Sequence, residues 1–158
     1  MGKLILLSIA LMMSACSRSD YVQDTDMFNS VDPKLQIYFD RFTADTGVST
    51  SGITGGFTDL SSNIVGECVY NGSYREVRID NTYWSQISTN DILMEQIVLH
   101  ELGHCALSLG HIPDLAPNGQ PLSIMNPYVF SPLQGIYLKS RETDYITALV
   151  NNVPISYP

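Results

Sequence analysis

Positive charge is scarce in this chain. Of its 158 residues only 8 are Lys or Arg, against 16 Asp or Glu, and the formal net charge is −8. The basic residues form no stripe or cluster, which excludes nucleic acid and anionic surfaces as charge-driven partners. Charged residues of both signs reach only 15%, while apolar residues make up 44%. Such a composition folds around a core and does not describe a disordered chain. The apolar run Leu4–Met13 is too short to span a bilayer. There is no internal repeat and no low-complexity tract, and GxSxG, phosphate-loop and nucleotide signatures are missing. The length suits one domain, expected to be a monomer. Cysteine and histidine occur only three times each, so their placement carries most of the functional information.

Lys3 precedes the apolar run, and Met13-Ser14-Ala15-Cys16 closes it. This segment resembles a bacterial lipoprotein signal, in which the lipobox cysteine is acylated and becomes the mature N-terminus. Met13 stands where Leu is usual. The resemblance implies removal of residues 1–15 and a lipid on Cys16 that inserts in a bilayer. It places the protein in the bacterial cell envelope, outside the cytoplasm. Ser17 rather than Asp follows the cysteine, which points to the outer membrane or the periplasmic face rather than inner-membrane retention. Residues 16–30 are polar and aperiodic, as in a flexible tether. Residues 31–158 then form a single domain. Export to an oxidising compartment makes Cys68 and Cys105 a candidate disulfide, two buried free thiols being the alternative.

Local patterns predict an α+β domain. Asp32-Pro33 reads as a helix start, and Leu35, Tyr38, Phe39 and Phe42 share a face of a helix over about 33–44, ended by Gly47. Residues 53–60 read as a strand. Segments 64–70 and 74–80 read as a hairpin turning at Asn71-Gly72, the second strand having one wet face through Glu76, Arg78 and Asp80. Ser88-Thr89-Asn90-Asp91 has capping-box spacing ahead of a helix over about 90–108, with Gly110 as its expected stop. Residues 112–123 read as loop. Residues 141–151 read as a closing helix that buries Tyr145, Ile146, Leu149 and Val150.

All three histidines lie between positions 100 and 111, in HELGHCALSLGH. His100 and His104 are four apart on the predicted helix, so both reach one ion from the same face. Neutral imidazoles suit Zn²⁺, and the ion acidifies water and polarises a carbonyl. Glu101 is adjacent to a ligand but turned aside, the position of a general base rather than of a ligand. A catalytic zinc takes three protein ligands. His111, just past Gly110, is the first candidate for the third, and Glu142 on the next helix is its rival. Adjacent to His104, Cys105 points to another helix face.

HExxH, a later Gly-His and then Ser123-Ile124-Met125-Asn126-Pro127 resemble a metzincin metallopeptidase over about residues 100–128. The family pattern HExxHxxGxxH has its third ligand ten positions after the first. Here His111 comes eleven after His100, and Leu107 stands in place of the helix-ending glycine. The resemblance implies a small twisted, mostly antiparallel sheet packed on an N-terminal helix and an active-site helix, with a short C-terminal subdomain ending in a helix. It implies zinc on His100, His104 and His111, and Glu101 as base. Met125 would lie under the site as a Met-turn, and Tyr128 is a candidate oxyanion or zinc-binding tyrosine. It also implies an extended peptide substrate along an edge strand, Tyr74–Asp80 or its hairpin partner. A Cys68–Cys105 bridge would tie the active-site helix to that hairpin. The expected activity is that of a zinc endopeptidase. A peptidoglycan amidase, or a non-catalytic lipoprotein stabilised by its metal, is the alternative.

Overall fold

The computed structural model describes residues 27–61, 63–72 and 74–157. The expected signal peptide, the acylated Cys16 and most of the tether lie outside the described residues. The chain is α+β. In order come α1 (Pro33–Thr46), β1 (Ile53–Thr58), β2 (Gly66–Asn71), β3 (Tyr74–Asp80), α2 (Asn81–Ile87), α3 (Asp91–Leu107), α4 (Pro132–Ser140) and α5 (Glu142–Asn151). No helix among the described residues is long and apolar enough to cross a membrane.

The predicted start of α1 is seen directly. Asp32 accepts a hydrogen bond from the Lys34 amide at 2.8 Å, Pro33 opens the first turn, and Gly47 closes the helix at φ +72°. Its buried stripe is Leu35, Tyr38, Phe39 and Phe42. The chain then forms a three-stranded sheet of order β1-β3-β2. The β2–β3 hairpin is antiparallel and pairs Asn71 with Tyr74, with Gly72 at φ +63°. β3 returns between β2 and β1 and runs parallel to β1. The sheet is therefore mixed, not mostly antiparallel. β3 is its central strand, so Tyr74–Asp80 offers no open edge, and β2, the hairpin partner, lies at one edge with β1 at the other.

The wet face predicted for β3 is also corrected. Glu76 is fully buried and Arg78 is 5% exposed. Residues 27–31, assigned to the tether up to 30, pack over that face. The amides of Met27 and Phe28 donate to Glu76 Oε2, and Phe28 lies against Gly56. Arg78 Nε donates to Glu76 Oε1 at 2.6 Å. A buried carboxylate needs such partners, and strand alternation alone cannot announce them.

Two helices escaped the sequence reading. α2 has seven residues, with Asp80 as its cap and Trp84 and Ile87 buried. α4 begins with a Ser131–Gln134 capping box and Pro132. Its Leu133 and Ile136 are exposed, which blurs the apolar period. Ahead of α3, Asn90 is the cap and Ser88 ends α2 instead. Tyr38 donates to Asp91 and Arg41 pairs with Asp91 and Glu95, fastening α1 to α3.

Cys68 and Cys105 are joined as a disulfide, Cα to Cα 5.5 Å, linking β2 to the last turns of α3. The bridge closes a loop of 37 residues, a constraint on the unfolded chain worth about 2–4 kcal/mol. The double variant Cys68→Ser/Cys105→Ser is expected to melt on the order of 10 °C lower. Thermal unfolding followed by circular dichroism measures the difference, and an unchanged midpoint would contradict it.

Candidate metal centre

α3 carries His100 and His104 one turn apart, and both rings are held from behind. His100 Nδ1 donates to the Ile124 carbonyl at 2.7 Å, and His104 Nδ1 donates to the Leu109 carbonyl at 2.7 Å. A carbonyl can only accept, so each ring bears its proton on Nδ1 and keeps a bare Nε2 when neutral. The Nε2 of His104 lies 3.2 Å from that of His100 and 3.2 Å from that of His111. The bare Nε2 atoms of His100 and His104, facing each other so closely, repel unless a cation lies between them. Two nitrogens about 2.0–2.1 Å from one tetrahedral zinc stand about 3.3 Å apart. The donor set, its spacing and the carbonyls behind it all fit a metal ion. Burial, and then the neighbouring His104, push His100 down to about 3, and the same causes lower His111. Both are neutral imidazoles at pH 7, the ligating form.

His111 reaches the site through a turn that the sequence did not announce. α3 ends at Leu107, and Ser108 takes the left-handed conformation at φ +57°. Its amide bonds back to the His104 carbonyl, and that of Leu109 to the Gly103 carbonyl. The reversal is made at Ser108 and not at Gly110, which has no positive φ. It swings the Leu109 carbonyl behind His104. The Ile112 amide then donates to the Met125 carbonyl at 2.8 Å and anchors the segment carrying His111.

The turn at Ser123–Asn126 supports both ends of this arrangement. Ile124 holds His100, and Met125 holds Ile112. Met125 is fully buried and lies over Gly103, where an added Cβ would collide with its Sδ. Gly103 thus lets the methionine approach the helix between the two histidines.

Glu101 is 1% exposed. With His100 it lines a small cleft closed by Val65, Asn126 and Tyr128. Tyr128 is half-exposed there, its amide donating to Asn126 Oδ1. Gly66 of β2 presses on the Glu101 carboxylate, and a Cβ at 66 would stand 2.7 Å from Oε1. Glu142 is elsewhere. It lies with Asp45 and Glu95, and Lys139 donates to it at 2.5 Å. It is not grouped with the histidines, so of the two candidates His111 completes the set.

No family model, curated protein or solved structure matches this chain. The donor geometry alone supports a metal at this site. Three of its residues went unnoticed in the sequence. Gly66 and Gly103 matter by what they leave room for, and Ser108 by a backbone conformation rare outside glycine. None of these has a sequence signal apart from the fold.

Proposed function

We propose that this chain is a zinc-dependent endopeptidase of metzincin type, with His100, His104 and His111 as ligands and Glu101 as general base. The convergence of three Nε2 atoms, two of them fixed from behind by backbone carbonyls, carries the metal assignment. Glu101 beside His100 in one cleft supports a hydrolase rather than a purely structural site. When bound, zinc would supply a Lewis acid that polarises a peptide carbonyl and acidifies water. Glu101 takes the proton of the attacking water and delivers it to the departing amine. β2 is the edge strand beside Glu101, and an extended substrate would add to it through backbone hydrogen bonds. A lipid on Cys16 would tether the domain to the bacterial envelope, outside the cytoplasm.

Unfolded protein substrates such as casein test the reading. Cleavage that stops with chelator and returns with zinc is expected, and no cleavage by a fully metal-loaded chain would overturn it. Gly66 gives a second, local test. Gly66→Ala displaces the Glu101 carboxylate, and turnover should fall on the order of 100-fold at unchanged zinc content. Full activity in that variant would show that Glu101 need not sit where it does.

A further inference from the structure

We propose that the cavity beside the metal centre is a specificity pocket for a peptide carboxylate, recognised by Arg75. This deepens, and rests on, the peptidase reading of the same site. The cavity measures about 320 Å³ and is lined by Cys68, Tyr70, Arg75, His104, Cys105 and Leu109, among others. The β2–β3 hairpin forms one wall and the end of α3 the other, with the disulfide joining them. His104 belongs both to this cavity and to the histidine cluster. A side chain seated here therefore lies next to the place where a peptide bond would be cut. The volume is at the bottom of the range of about 300–1,000 Å³ for small-molecule sites, which suits one or two side chains.

Arg75 supplies the chemistry. Its Nη1 donates to the Cys105 carbonyl at 2.5 Å, which holds the guanidinium in place. That bond uses one of five donors. Arg41, Arg78, Lys139 and Arg141 each pair with a carboxylate. Among the described residues Arg75 has no such partner, although acids outnumber bases two to one in the chain. A fixed guanidinium with spare donors, facing a cavity, matches the two oxygens of a carboxylate. That carboxylate belongs either to an Asp or Glu side chain or to the C-terminus of a peptide.

Binding tests this without turnover. The full chain carrying Glu101→Gln and loaded with zinc is titrated with three pools of labelled octapeptides. One has Glu placed at each position in turn and an amidated end, one has Gln there and a free terminal carboxylate, and one has Gln and an amidated end. One of the first two pools should bind about tenfold to a hundredfold more tightly than the third. The first pool assigns the pocket to acidic side chains and the second to chain ends. Arg75→Gln, which keeps a donor for Cys105, should abolish the preference, and Arg75→Lys should keep part of it. Equal binding of all pools, or a preference that survives Arg75→Gln, overturns the proposal. A preference that depends on Arg75 while the unsubstituted chain cleaves none of the pools leaves the pocket standing and removes the peptidase reading.

Discussion

Replacing Glu101 by Gln should lower peptide hydrolysis about 10²- to 10⁴-fold, the range typical of a lost general base. Gln has the shape of Glu and fits the same space beside Gly66, where an added Cβ would stand 2.7 Å from the carboxylate. What it cannot do is accept a proton. The zinc content should be unchanged, because Glu101 is outside the group of side chains whose ligand atoms could share one ion. Activity and metal content measured on the same preparation separate the two roles. Equal turnover in the two proteins would remove Glu101 from the chemistry, and loss of the metal would make it a ligand or a support for one.

Chelation should lower the melting midpoint on the order of 10 °C. A ligand that binds only the native state stabilises it by mass action, about 4 kcal/mol when its concentration is a thousandfold above its dissociation constant. In a chain of this size each kcal/mol moves the midpoint by about 2–4 °C. The cause is local. With the ion gone, the bare Nε2 of His100 faces that of His104 at 3.2 Å, and His100 is 3% exposed. Added zinc should restore the midpoint. A scan that chelator leaves unmoved would mean that the histidines are satisfied without a cation.

The sequence disclosed the elements with strong local signals. Asp32-Pro33 announced α1 and Asn71-Gly72 announced the hairpin, because caps and two-residue turns are written within a few positions. The spacing of His100 and His104 placed two histidines on one helix face for the same reason. What it did not disclose depends on distant partners. Glu76 and Arg78 read as exposed strand residues, and their burial follows from a segment almost 50 positions earlier. The parallel pairing of β1 with β3 follows from where the hairpin folds back. Glycine was the expected residue after α3, yet Ser108 makes the turn. Its left-handed backbone is held by hydrogen bonds to the helix end and by the contact of Leu109 with His104, a tertiary effect that overrides local preference.

The proposed site holds one zinc ion on His100, His104 and His111. The most direct measurement is the metal content of the purified chain by elemental analysis, beside a His111→Ala variant. One zinc per chain in the first, lost or much weakened in the second, is the predicted result. Zinc held equally by both would contradict the three-histidine site, and a folded chain that takes up no metal even when zinc is supplied would contradict the metal centre altogether.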